Sequence, residues 1–466
     1  MAKLMRCTFC GMLQDEPVGV KACLRCGGEL EFEHGTSRGD KAAYVQVQME
    51  LDQVAAPADQ NTERYLLLSI TTPGEVPPAD STPPGKQRPP LDFTPVVDVS
   101  GSMAGGKLTQ AITAVRQALN HLHDDDTFSL VTFSDEIKTP VEPVHIQPSV
   151  IADIKEILNG ISHTGTTNLA GGLEAGIRNS KLNIQDTNLV LLLSDGMANV
   201  GETDLEKVGL IAKKARNEGL TVSTIGIGID YNEALLVEIS NQGGGRFYNI
   251  QDEAKIPIYV AGELGEAAYL AAKDTRLILE IPEGATLVPL SIAYPVVQNG
   301  NKAVVELGDI PCDTELEIPL RLALLPQKAG SRLRVSGSME FTSPAGKIHK
   351  QNINRVTIRF MKKGAFEIRE GLVPAVAEKV FSQLKASSLL KVNRTRFHRP
   401  EEMDGEAKRN LENLREYANK LGKDRSDREM REVEMDYQNL SSPMAAKSMT
   451  MNAQRIQRGS KDFDKK

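Results

Sequence analysis

The sequence predicts a multidomain chain built around an α/β domain with a doubly wound parallel sheet. Three observations lead there. Between residues 91 and 272, apolar runs of strand length alternate with segments whose apolar residues recur every three or four positions, the pattern of strands and amphipathic helices taken in turn. Two of the runs, Phe93-Thr94-Pro95-Val96-Val97-Asp98 and Asn188-Leu189-Val190-Leu191-Leu192-Leu193-Ser194-Asp195, end in aspartate, so both acids reach one rim of the sheet, where ligands of open α/β sheets bind. The flanking segments alternate apolar and polar residues instead, as half-buried antiparallel strands do. The expected architecture is thus an α/β domain inserted in or flanked by a β-sandwich, with a four-cysteine element before it and a helical region after it.

Residues 1–34 contain Cys7-Thr8-Phe9-Cys10 and Cys23-Leu24-Arg25-Cys26, the spacing C-x2-C-x12-C-x2-C, which resembles a zinc ribbon. Four thiolates close a tetrahedral Zn²⁺ site with no open position. A segment this short buries too little apolar surface to fold alone, so the metal would stabilise it. The rival reading is a pair of dithiols or disulfides. The remaining cysteine, Cys312, stands alone and carries no assigned chemistry. Residues 36–90 hold two expected strands, Tyr44–Leu51 and Arg64–Ile70, and a proline-rich bridge over 73–90. Two strands cannot hide an apolar face by themselves. They are expected to pair with strands far downstream.

In the α/β domain (91–272), the strand ending at Asp98 is followed by a helix carrying Leu108, Ile112, Val115, Leu119 and Leu122. Strands follow at 126–133, 188–195, 220–226 and 246–250, with helices at 150–158, 168–181, 205–217, 233–242 and 256–272. Pro95 lacks an amide hydrogen inside a central strand and marks a bulge or a late strand start. His121, His123 and Asp124-Asp125-Asp126 fall between a helix and a strand and read as a solvated turn.

Asp98-Val99-Ser100-Gly101-Ser102, then Thr167, then Asp195 supply two carboxylates and three hydroxyls, hard oxygen donors that suit Mg²⁺ or Mn²⁺. This set resembles the metal-ion-dependent adhesion site (MIDAS) of von Willebrand factor type A (VWA) domains, whose sheet is Rossmann-like. The resemblance covers about residues 91–270. It implies that Ser100, Ser102 and Thr167 ligate the metal directly and that Asp98 and Asp195 hold it mostly through water. An Asp or Glu of a protein partner would take the open position. The bland alternatives are that the serines and Thr167 only cap helices. Gly101-Ser102-Met103-Ala104-Gly105-Gly106-Lys107 also matches the first seven positions of a phosphate-binding P-loop, but Leu108 stands where that loop needs Ser or Thr.

Further strands are expected at 276–281, 303–307, 316–322, 332–340 and 352–360, completing a sandwich over 273–362. Residues 363–440 read as a helical domain on the spacing of Ile368, Leu372, Val376, Val380 and Leu384, then Leu411 to Leu421, then Met430 to Leu440. Residues 441–466 lack apolar periodicity and read as a flexible tail.

A formal net charge of −7 and the absence of a basic stripe with stacking aromatics weigh against nucleic acid as a partner. No stretch near twenty apolar residues spans a bilayer. No apolar leader precedes Cys7, and a cytoplasmic protein is expected. No nucleophile and base pair stands out, so no catalytic residue is assigned and an enzyme is not expected. The reading is an intracellular binding or scaffold protein whose VWA domain recognises a partner carboxylate through Mg²⁺. The alternatives are a regulatory or adaptor subunit of an AAA+ ATPase of the MoxR type, a pairing frequent among intracellular members of the family, and, ranked lower, a metal-dependent hydrolase.

Overall fold

The computed structural model describes residues 4–7, 13–15, 30–32, 45–74, 89–291, 293–344, 346–362, 365–367 and 370–458. Strands β1 (Leu4–Cys7), β2 (Leu13–Asp15) and β3 (Leu30–Phe32) form a small antiparallel sheet in the order β2-β1-β3. Cys7 ends β1; its side chain, Cys10, Cys23 and Cys26 lie outside the described residues, as does most of the proline-rich bridge. Three strands follow, β4 (Gln46–Leu51), β5 (Ala55–Pro57) and β6 (Thr62–Thr71).

The α/β domain then runs β7 (Leu91–Asp98), α1 (Gly106–Ala118), β8 (Thr127–Phe133), β9 (Ile137–His145), α2 (Pro148–Asn159), α3 (Leu169–Leu182), β10 (Thr187–Ser194), α4 (Leu205–Asn217), β11 (Thr221–Ile227), α5 (Glu233–Gln242), β12 (Gly244–Ile250) and α6 (Ile256–Ala268). Its sheet has the order β12-β11-β10-β7-β8-β9, parallel throughout except for the antiparallel edge strand β9. Every residue of β7, β8 and β10 is buried, as a parallel sheet covered on both faces requires. Successive side chains serve opposite cores. Leu189, Leu191 and Leu193 pack with α1 and α6, while Val190 and Leu192 pack with α3, α4 and α5. Pro95 pairs with Leu191 of β10, and the ladder to β8 skips Thr94 and Pro95 and resumes in register at Val96. There is no bulge at Pro95.

Beyond it, β13 (Leu270–Glu280), β14 (Ala285–Pro289), β15 (Val296–Asn299), β16 (Lys302–Pro311), β17 (Glu315–Leu324), β18 (Arg332–Thr342) and β19 (Ile348–Met361) build two sheets. Their orders are β15-β16-β13-β18-β19-β5 and β14-β17-β6-β4. The early strands therefore pair with late ones, β6 along all of β17 and β5 with the end of β19. Leu66, Leu68, Leu277, Leu320 and Phe360 belong to one shared core.

Four helices close the chain: α7 (Pro374–His398), α8 (Met403–Ala418), α9 (Lys423–Asn439) and α10 (Pro443–Arg458). Three expectations need correction. The helix expected over 256–272 stops at Ala268, because Leu270 and Ala272 are already paired with β16. The helix expected from Ile368 starts at Pro374, a residue suited to a first turn that donates no amide. The flexible tail expected from 441 is, over Pro443–Arg458, the helix α10, with Ala446, Lys447, Thr450, Ala453, Gln457 and Arg458 buried; residues 459–466 lie outside the described ones. Among the described residues, no helix is long and apolar enough to cross a membrane.

Candidate metal centre

The carboxyl ends of β7 and β10 lie side by side, with Val97 opposite Leu193. Asp98 and Asp195 therefore face the same rim, and each is fully buried. The backbone after Asp98 turns at once: Ser100 N donates to Asp98 Oδ1 at 2.8 Å, and Gly101–Met103 form one short 3₁₀ turn before α1. That turn presents two hydroxyls, Ser100 Oγ and Ser102 Oγ, 3.1 Å apart. Ser102 Oγ then donates to Asp195 Oδ1 at 2.7 Å. The two strand ends are thus linked through the serine loop.

The Thr167 loop is tied in by its backbone. Gly101 N donates to Gly165 O at 3.1 Å, Thr167 N to Asn199 Oδ1 at 3.0 Å, and the amides of Asn199 and Val200 return to Thr167 O. Thr167 is not the helix cap that its sequence position suggests. Asn168 caps α3, accepting from Gly171 N at 3.0 Å. This leaves the Thr167 hydroxyl, on a residue 3% exposed, without a capping role.

Gly196 shows where the donors converge. A Cβ there would stand 3.0 Å from Thr167 Oγ1 and 3.5 Å from Ser102 Oγ. The missing side chain leaves a cradle edged by the hydroxyl oxygens of Ser102 and Thr167, with Ser102 exposed to solvent at its mouth. Two carboxylates and three hydroxyls around such a space fit a hard divalent cation. Among the described residues, no three His, Cys, Asp or Glu side chains cluster in this way, so a metal here would depend on the hydroxyls.

Burial pushes the Asp98 carboxyl above its ordinary range, and the neighbouring Asp195 charge adds to this; bonds from Ser100 and Ser194 oppose it. A cation in the cradle would favour the ionised form.

Several contributors escape sequence reasoning. Ser194 Oγ donates to Asp98 Oδ2 at 2.6 Å, fixing the carboxylate from behind. Asn199 positions the Thr167 loop. Lys107 Nζ lies 2.5 Å from Asp195 Oδ2, and its only sequence signal is the misleading P-loop match. Asp126 is buried, not solvated, and accepts from Leu91 N and His123 N at 2.9 and 2.6 Å. His121, His123, Asp124 and Asp125 are exposed, away from the cradle.

Residues 92–260 match the family model for the von Willebrand factor type A domain, and the chain carries a VWA domain there. Its relatives include the uncharacterized protein YfbK of Escherichia coli (strain K12), 27% identical over 286 residues, which are 59% of this chain and 48% of that protein. Inter-alpha-trypsin inhibitor heavy chain H2 of Mus musculus is 33% identical over 168 residues, 34% of this chain and 18% of the heavy chain. The chain thus spans half or less of the length of these curated relatives. Among solved structures, a von Willebrand factor type A protein from Catenulispora acidiphila superposes with a TM-score of 0.64 at 16% identity, over 91% of this chain and 99% of that one. The ArnB paralog VWA2 from Sulfolobus acidocaldarius gives 0.53 at 16% identity, over 90% and 100%. Both likenesses extend beyond the α/β domain and concern the fold. A VWA domain is compatible with a role in protein interaction.

Proposed function

We propose that this chain is an intracellular binding or scaffold protein whose VWA domain recognises a carboxylate of a protein partner through a divalent cation, Mg²⁺ or Mn²⁺. Ser100, Ser102 and Thr167 would supply direct oxygen ligands, and Asp98 and Asp195 would hold the cation largely through water. When bound, the cation supplies a Lewis-acidic position that an incoming Asp or Glu can occupy, since Mg²⁺ demands a complete octahedron of oxygens. The chain's own task is orientation. Ser194 and the Ser100 amide fix Asp98, Asn199 fixes the Thr167 loop, and Gly196 keeps the space open.

The observation that carries this reading is the convergence of the Ser102 and Thr167 hydroxyls over Gly196, beside the Asp195 carboxylate that Ser102 contacts. We also read Cys7, Cys10, Cys23 and Cys26 as a structural Zn²⁺ site on their spacing alone, and the two flanking sheets as one sandwich interrupted by the VWA domain.

The test is calorimetric titration of the full chain with Mg²⁺, followed by affinity capture of partners in Mg²⁺ and in EDTA. Wild-type protein should bind Mg²⁺ and retain a partner only with the metal; Asp98→Ala should do neither while remaining folded. Equal recovery of the partner in Mg²⁺ and EDTA would overturn the mechanism. Capture of an AAA+ ATPase would assign the adaptor role.

A further inference from the structure

Lys107 has no part in the coordination described above, yet it makes an ion pair with one of the two rim acids. It is the second residue of α1, and its ammonium reaches across to β10, 2.5 Å from Asp195 Oδ2 and 3.5 Å from Ser102 O. Its side chain is 26% exposed, whereas that of Asp195 is fully buried. The lysine stem passes over Gly228, at φ 78° just beyond β11, where a Cβ would meet Cε and Nζ at 3.5 Å. The channel that leads Lys107 to the carboxylate is therefore bare backbone.

The two acids are treated differently. Asp98 is held by an amide and a buried hydroxyl, both neutral and both fixed. Asp195 shares one oxygen with Ser102 and gives the other to a full positive charge on a long, partly solvated side chain. An unpaired buried carboxylate is costly, and Lys107 offsets that cost without any metal. The same ammonium repels a second cation placed on the same carboxylate.

The P-loop explanation of this lysine fails on the other side of the helix. Glu253 packs its carboxylate against Gly106, leaving no room for a Cβ. The amino-terminal end of α1 thus already faces an anion of the chain itself, and the lysine points at Asp195 rather than into an open loop.

We propose that Lys107 is a built-in competitor for the divalent cation: it neutralises Asp195 while the cradle holds no metal, and metal loading requires it to release or share that oxygen. The proposal rests on the metal reading above. It makes Lys107 a positioning residue that keeps metal affinity low, and it couples metal to partner. An arriving carboxylate offers the displaced ammonium a replacement anion, so each event favours the other.

The experiment is Mg²⁺ titration calorimetry at fixed ionic strength on the full chain, with thermal unfolding in EDTA and in Mg²⁺, for wild type, Lys107→Met, Lys107→Gln and Lys107→Arg. Removing the charge should tighten Mg²⁺ binding by about tenfold or more, while lowering the unfolding midpoint in EDTA and enlarging the rise that Mg²⁺ produces. Lys107→Arg, which keeps the charge, should stay close to wild type. A purely structural lysine would lower stability without tightening metal binding. If Lys107→Met and Lys107→Gln bind Mg²⁺ no more tightly than wild type, while Asp98→Ala still abolishes binding, the competitor role is wrong and the metal reading survives. If neither wild type nor any Lys107 variant binds Mg²⁺, both fall together.

Discussion

Two buried polar regions of the VWA domain make opposite use of the same kinds of groups. At the rim, Asp98, Asp195, Ser100 and Thr167 are almost wholly buried, yet the hydroxyls of Thr167 and Ser102 border a space left open by Gly196. At the seam with α10, charged groups are consumed by contacts within the chain. Lys447 Nζ donates to Tyr231 O at 2.7 Å and sits 3.4 Å from the centre of that ring. Thr450 Oγ1 donates to the fully buried Glu233 at 2.7 Å, and Asn393 of α7 donates to the same carboxylate oxygen. Arg458 spreads its guanidinium over Gly244 O, Asn241 O and Ser240 O at the end of α5, at 3.0, 3.2 and 3.4 Å. A polar cluster whose charges are spent on its own neighbours holds bodies together; one whose oxygens line an open cradle is poised for something from outside. The comparison teaches that burial of polar atoms alone does not mark a site.

The strongest way to break this contrast is at the seam. Replacing both anchors, Lys447→Met with Arg458→Ala, removes the donors to the carbonyls at and beside the two ends of α5 and should cost about 3 kcal/mol in denaturant unfolding. Amide exchange should rise in α10, and Mg²⁺ affinity at the rim should not change. A parallel loss of metal binding would show that the two regions are not separable.

A second test sits inside β7. Asp92 is buried and accepts from Ser180, Thr127 and Thr94 at 2.6, 2.7 and 3.1 Å. Burial dominates and pushes its carboxyl from 3.8 up to about 6. The folded protein holds this proton after the unfolded chain has lost it, so the contribution is complete below pH 3.8 and is lost as pH rises through about 6. Chemical unfolding across that window should show wild type losing up to about 3 kcal/mol from this group. Asp92→Asn should flatten the decline. An unchanged slope would mean that Asp92 is ionised in the fold.

The smallest effect sharpens the rim. Thr167→Val removes a hydroxyl while Asn168 keeps the helix cap. Mg²⁺ binding should weaken by about tenfold, or about 1.4 kcal/mol, with the unfolding midpoint in EDTA unmoved. A fall in that midpoint with no change in affinity would return Thr167 to a structural role.

Legibility follows chemistry. The strands that lead into Asp98 and Asp195 stand out because both are continuous apolar runs, and α4 and α5 begin and end where their patterns do. Strand β9 escapes the sequence because Pro140 and Pro143 argue against a strand, yet an edge tolerates proline. The helix α10 reads as a tail because its buried positions recur at helical spacing but are Ala, Lys, Thr, Gln and Arg. Hydropathy cannot see a face stabilised by hydrogen bonds. Thr167 and Asn168 are adjacent and both suit a cap, and only the backbone geometry decides between them. The motif brings the five oxygen donors into view, but not Lys107, Ser194 or Asn199, whose roles depend on contacts far away in sequence.

The turn after β16 ties down the chain on both sides of the VWA domain. Thr72 Oγ1 donates to Pro311 O at 2.7 Å and Asp313 N to Pro73 O at 2.6 Å where the chain leaves β6, and Cys312 N donates to Tyr269 O at 2.8 Å where it comes back. A body hung from one such point could swivel like a pendant, but α10 pins it again at α5. With two separated fastenings the rim keeps a fixed heading, and any pull exerted there is passed directly into the strands of the neighbouring sheets.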